Sequence, residues 1–231
     1  MQNLLSFFFD GVDFNNAFNI AYIFKSIVSR WYLYLALVVL VIVIVLFVVI
    51  KKPPIRNKLN VTQRISYVSM FIALCTAVNV LQISTSFAQF SLVASVACLS
   101  GVLLGPLDGF TVAFVGDLIA AIIAPLGIYS PIIGLGTGLF GLIPGLIFSY
   151  IKLNDNLKVV ISYIATFILS SIVLNTIGLS LIYPKVYVMT ERIAILPFNL
   201  LFHAVNCVLS IGLVKIMKKV LPKNKFFIEK I

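Results

Sequence analysis

Charge is scarce in this chain: 10% of its 231 residues are charged and only seven are acidic, where an ordinary soluble domain carries about 25% charged residues. So little charge cannot clothe a water-soluble surface, and a soluble globular fold is excluded. Cysteine is equally sparse. Cys75, Cys98 and Cys207 each fall inside an apolar stretch and stand far apart, which excludes a disulfide framework or a thiolate metal site. Catalytic signatures are missing as well. There is no G-x-x-x-x-G-K-[ST], no H-E-x-x-H, and no Ser/His/Asp set at a common membrane depth. No cofactor is implied, and any ATP hydrolysis that drives this chain has to come from another one.

What the chain has in abundance is apolar sequence, 61% of residues. A helix needs about 20 mostly apolar residues to cross a hydrocarbon core of about 30 Å. Runs of this kind are expected to span at 31–50, 64–83, 87–104, 108–125, 131–151, 159–182 and 194–217. In a bilayer the backbone has to satisfy its own hydrogen bonds, so only helices or a closed barrel can span. The runs are continuous rather than alternating, which selects helices. The fold class expected is an all-α integral membrane protein.

The formal charge of +10 raises nucleic acid as a partner in a soluble chain, but here it reads as topology. With segment 51–63 in the cytoplasm, Lys51, Lys52, Arg56, Lys58, Arg64, Lys152, Lys158, Lys215, Lys218, Lys219, Lys223, Lys225 and Lys230 are inside, 13 of the 17 basic residues. Only Lys25, Arg30, Lys185 and Arg192 are outside. The positive-inside rule therefore places the C-terminus in the cytoplasm and the N-terminus outside.

Four segments follow. Residues 1–30 mix aromatic residues with Asp10, Asp13 and several Asn and suit an interfacial or outer segment. Residues 31–50 form an extra transmembrane helix, too late and too long for a cleaved signal. It is closed by Lys51-Lys52-Pro53-Pro54. Residues 51–63 are a basic cytoplasmic linker, and 64–231 are a six-helix membrane domain with both ends inside.

Within that domain, Ser69, Ala73 and Ala77 recur every four residues, with Ser66 and Thr76 nearby, and make a stripe that another helix can approach closely. The approaching helix belongs either to a partner or to this same chain. Asp117 lies mid-span, where an ionised carboxylate costs about 2.5–3.5 kcal/mol, so it needs a partner in the bundle or a ligand. Asp108, at a cytoplasmic turn, reads as an ordinary solvated residue. Pro125-Leu126-Gly127-Ile128-Tyr129-Ser130-Pro131 joins two spans outside and reads either as a ligand-contact loop or as a simple turn with Tyr129 at the interface.

Gly136, Gly138 and Gly141 match G-x-G-x-x-G, but no strand precedes them, so the match carries no dinucleotide site. Gly134, Gly138, Gly141 and Gly145 instead make a smooth helix face for close packing or for approach to a ligand. Asn79, Gln82, Asn175, Asn199, His203 and Asn206 are polar groups within spans that need partners away from water. Glu191-Arg192 precedes the last span, where Arg192 either pairs with its neighbour or faces an anionic substrate.

These motifs, taken in order, carry a resemblance. Ala73-x-x-x-Ala77, then Leu104-Gly105-Pro106-Leu107-Asp108-Gly109 leading to Gly116-Asp117 and Gly127-Ile128-Tyr129-Ser130-Pro131, resemble the substrate-binding S component of energy-coupling factor (ECF) transporters, which capture vitamins for uptake by prokaryotes. Leu174-Asn175-Thr176-Ile177-Gly178-Leu179, Glu191-Arg192-Ile193 and Pro197 are similar to the last two helices of the folate-specific branch. After Ser130-Pro131 the chain departs from that branch, with Ile132-Ile133-Gly134-Leu135-Gly136-Thr137-Gly138 in place of a Gly-Phe-Thr-type segment.

The resemblance implies a six-helix S-component bundle with one extra N-terminal helix. It also implies a membrane-embedded T component that docks on Ser69, Ala73 and Ala77, two cytoplasmic ATPase subunits, and a vitamin, with folate favoured. The substrate set it implies is Tyr129, Ser130, Pro131, Gly134, Thr137, Asn175, Arg192, Asn199 and His203, with Asp117 as a buried conformational residue. Two other classes stay open: an ion-coupled secondary transporter, for which no internal repeat is visible, and a membrane-embedded enzyme built on Asp117 and His203.

Overall fold

The computed structural model describes residues 59–84, 89–124, 130–182 and 185–221, with backbone alone at 83–84, 89, 180–182 and 185–194. The N-terminal segment, the helix expected at 31–50, residues 51–58 of the linker, and residues 125–129 of the outer loop, Tyr129 included, lie outside the described residues. The order is α1 (Val61–Val80), β1 (Ile83–Ser84), β2 (Gln89–Phe90), α2 (Val93–Leu104), α3 (Pro106–Ile123), α4 (Pro131–Tyr150), α5 (Asp155–Thr166), a π-helical segment (Phe167–Leu174), α6 (Asn175–Ile182) and α7 (Lys185–Val220). From α5 to α6 the helix is continuous, so the described residues form six rods.

Five stretches are long and apolar enough to cross a membrane: Val61–Val80, Pro106–Ile123, Pro131–Tyr150, Asp155–Leu179 and Ile195–Val220. The protein is a multi-pass membrane protein. The sixth rod corrects the span expected at 87–104, because α2 holds only 12 residues and reaches about 18 Å at 1.5 Å per residue. The chain before it is an antiparallel hairpin in which Ile83 stands opposite Phe90 and Ser84 opposite Gln89. The polar run Ser84-Thr85-Ser86 interrupts the apolar sequence there, and Ser91 Oγ accepts the Val93 amide at 3.2 Å to start α2 afresh.

The last helix is also corrected. It starts at Lys185, nine residues before the expected 194, and runs for 36 residues. Lys, Met, Glu and Arg in its first turns are adequate helix formers, and the helix continues through Pro197.

The short α2 is the centre of the bundle, with every residue but Ala94 buried. It meets α3 and α4 almost backbone to backbone. A Cβ on Gly109 would come within 2.5 Å of Gly101 Cα, and one on Gly145 within 2.5 Å of Pro106 Cα. A Cβ on Gly141 would fall on the Gly109 carbonyl. The glycine face of α4 is thus used for packing, at least from Gly138, which lies against the Phe110 ring, to Gly145. Between α2 and α3 the chain turns on Gly105 at φ 109° and ψ 173°, a region open essentially to glycine alone.

Two ion pairs tie helix ends together. Arg64 Nε and Nη2 donate to the two carboxylate oxygens of Asp108 at 2.5 and 2.7 Å, which corrects the reading of Asp108 as an unpaired solvated residue. Lys218 Nζ donates to Asp155. Both pairs sit at the ends assigned to the cytoplasm, at the starts of α1, α3 and α5 and the end of α7.

Candidate functional site

The opposite ends of α4, α6 and α7 gather most of the candidate substrate residues that the structure describes. Ser130 precedes the first turn of α4 and is buried. Its carbonyl accepts the Gly134 amide at 3.1 Å, and Pro131 follows it at N1, where a missing amide costs nothing. Across from it, a Cβ on Gly178 of α6 would stand 3.3 Å from Ser130 Oγ. One turn deeper, a Cβ on Gly136 would meet Ser170 Oγ at 2.9 Å and Asn175 Oδ1 at 3.7 Å. Small residues on α4 and α6 thus let two helices close over a set of hydroxyl and amide groups. Thr137 is half-buried on α4 and returns its hydroxyl to the Ile133 carbonyl at 3.3 Å.

His203 forms the inner boundary of this region. Its Nδ1 lies 2.9 Å from the Asn199 carbonyl, which can only accept, so Nδ1 carries the proton. Nε2 is then the acceptor for the Ser171 hydroxyl at 3.3 Å. Three rings enclose the imidazole: Phe167 at 5.0 Å, Phe140 at 5.3 Å and Tyr163 at 6.4 Å between centroids. The imidazole is held by hydrogen bonds along its edge and by aromatic rings around it.

Asn206, one turn further along α7, is an internal brace. Its Oδ1 accepts from Ser95 Oγ at 2.7 Å, and its Nδ2 donates to the carbonyls of Ser91 at 3.1 Å and Phe202 at 3.0 Å. This consumes both amide hydrogens and locks α7 to the start of α2. The Phe90 and Phe202 rings, 5.1 Å apart, extend the same junction onto the hairpin. Tyr163 and Ser210 share a buried hydrogen bond of 2.7 Å between α5 and α7.

Asp117 stands apart from His203's partners. Asn79 Nδ2 donates to its Oδ1 at 2.9 Å, and Thr76 Oγ1 donates to the neighbouring Gly116 carbonyl at 3.3 Å. These bonds hold α3 to α1, so Asp117 has a partner in the bundle. Ser69, Ala73 and Ala77 are all exposed, on a face of α1 they share with Met70 and Leu74. The stripe faces away from the other described helices. Arg192 lies on α7 about two turns before Asn199.

Sequence reasoning did not find Phe140, Tyr163, Phe167, Ser170 or Ser171. The one signal available was the pair Ser170-Ser171 inside an otherwise apolar run. The region brings hydrogen-bonding edges beside aromatic faces. Among the described residues, no group of three His, Cys, Asp or Glu side chains is placed to hold a metal ion.

A family model described as the ECF-type riboflavin transporter, S component, matches residues 58–221. No curated protein matches. Among solved structures, nine chains match, including the crystal structure of FolT bound with folic acid. That structure shares the fold at a TM-score of 0.57 and 22% identity, over 64% of this chain and 90% of that one. The chain, a transport component rather than an enzyme, belongs to the ECF-type riboflavin transporter S component family.

Proposed function

We propose that this chain is the high-affinity substrate-binding subunit of an ECF importer in a prokaryotic cell membrane, capturing a vitamin from outside, with folate the first candidate. The observation that carries the reading is that the chain matches the S-component family over residues 58–221 and shares its fold, over 64% of its length, with a folate-bound protein. Its substrate residues are Tyr129, Ser130, Pro131, Gly134, Thr137, Asn175, Arg192, Asn199 and His203. The hydroxyl and amide groups of Ser130, Thr137 and Asn175 address the polar edge of a pterin-like ring, and Arg192 addresses a carboxylate, where a guanidinium bonds best. Uptake is driven by two cytoplasmic ATPases through a T component that docks on Ser69, Ala73 and Ala77.

A second reading, riboflavin, is favoured by the description of the family itself. Both ligands are planar heteroaromatics, but riboflavin carries no carboxylate. The test is a panel of vitamins titrated against the purified full chain by intrinsic fluorescence quenching. Nanomolar binding of folate, about −12 kcal/mol, weakened at least tenfold by Arg192→Gln, supports the first reading. Tight binding of riboflavin that is indifferent to Arg192→Gln selects the second. No binding across the panel removes both.

A further inference from the structure

The helix between Asp155 and Ile182 does not hold one pitch. From Phe167 to Leu174 it widens to i→i+5 hydrogen bonding, and the Asn175 amide closes the widened stretch on the Ser170 carbonyl. Such π segments are rare in helices and concentrate at functional sites. In a plain α-helix each residue turns the chain by about 100°. A π insertion accommodates one extra residue locally, and so it decides which side chains beyond it face a given neighbour.

The neighbour here is α4. Before the widened stretch ends, Ser170 faces Gly136; beyond it, Gly178 faces Ser130 and Ile133, and Asn175 lies near Gly136. The widening is also anchored from outside its own helix. Ser171, in its middle, donates to His203 Nε2, and Phe167, at its start, packs edge-on against the same imidazole. On the opposite side, Ile172 and Val173 are exposed among the apolar residues of the outer surface. One wall of the widened turn is therefore held by a hydrogen bond to α7, and the other lies on the exposed surface of the described residues.

We infer that the π segment is a register device: held open by the Ser171–His203 hydrogen bond, it turns Asn175 and Gly178 toward α4, and His203 acts as a positioning residue for that wall of the site. This assigns His203 a task separate from ligand contact, and it rests on the proposed site only in taking Asn175 as a substrate residue.

The test uses two cysteine pairs in the full-length chain, one ahead of Ile172 within the widening and one beyond the widening, with oxidative cross-links identified by peptide mapping. Gly136→Cys with Ser170→Cys reports the register ahead of Ile172, and Ser130→Cys with Gly178→Cys the register beyond the widening. Deleting Ile172 should leave the first cross-link in place and slow the second at least tenfold, and an alanine restored at that position should recover it. The retained first cross-link shows that the bundle is folded. Ser171→Ala and His203→Phe, which keep the chain length, should slow the second cross-link several-fold and spare the first, and His203→Gln, whose amide oxygen can accept from Ser171, should restore it. Both cross-links forming at parental rates in all these variants would overturn the inference. Vitamin binding, measured in parallel on the same variants without the added cysteines, should fall where the second cross-link slows. A chain without the added cysteines that binds no vitamin, beside the expected cross-link pattern in its cysteine-pair counterparts, would leave the register device standing and remove the functional reading.

Discussion

At the scale of single residues, the polar groups inside this bundle divide by what they bond. Asn206 is fully used in joining α7 to α2, and Asn79 in joining α1 to Asp117. His203 bonds across to the widened helix. A buried polar group left without its partner costs about 1–3 kcal/mol. Asn206→Leu, which strands the Ser91 carbonyl, should therefore destabilise the detergent-solubilised protein by about that amount, read as a lower thermal unfolding midpoint. The sequence marks Asn79, Asn206 and His203 alike as polar residues in apolar runs. It does not show which of them braces helices and which faces a cavity, because that depends on contacts over 111 residues, as between Ser95 and Asn206.

At the scale of elements, the most legible feature is the stripe on α1. Spacing alone leaves open whether Ser69, Ala73 and Ala77 meet a helix of this chain or of another, and their exposure shows that the other described helices do not cover them. Ala73→Leu combined with Ala77→Leu should abolish vitamin uptake in cells carrying the partner subunits, with binding to the purified chain unchanged. Uptake at the parental rate in the double variant would refute docking there. The ion pair at the foot of the same helix contributes little stability, since Arg64 is half-exposed and such pairs are worth about 0–1 kcal/mol.

Element boundaries show where sequence reading runs out. The spans containing α3, α4 and the α5–α6 rod lie within a few residues of their expected limits, because continuous apolar runs of full length have one reading. The run at 87–104 does not, because a two-residue strand pair at 83–90 takes its first part. The widening at Phe167–Leu174 leaves no mark in composition at all, since it is a matter of hydrogen-bond register.

At the scale of the whole molecule, the distribution of basic residues predicts a membrane orientation in which the end of the bundle that holds the two ion pairs faces the cytoplasm. The turn between α4 and α5 should face the cytoplasm. Asn154→Cys should react with a membrane-impermeant thiol reagent only after the cells are permeabilised, and labelling of intact cells would invert the topology.

The brevity of α2 has a further consequence, for how the chain reaches this arrangement. Twelve residues are too few to be recognised alone as a span during synthesis, and the cysteine, serines and glycine along α2 add little to the drive for entering lipid. Phe71 and Cys75 of α1 pack in one core with α2, but the close backbone contacts come from the glycines of α3 and α4. Assembly of the bundle centre is therefore completed late in translation: until residue 150 has left the ribosome, α2 has only α1 among these packing partners.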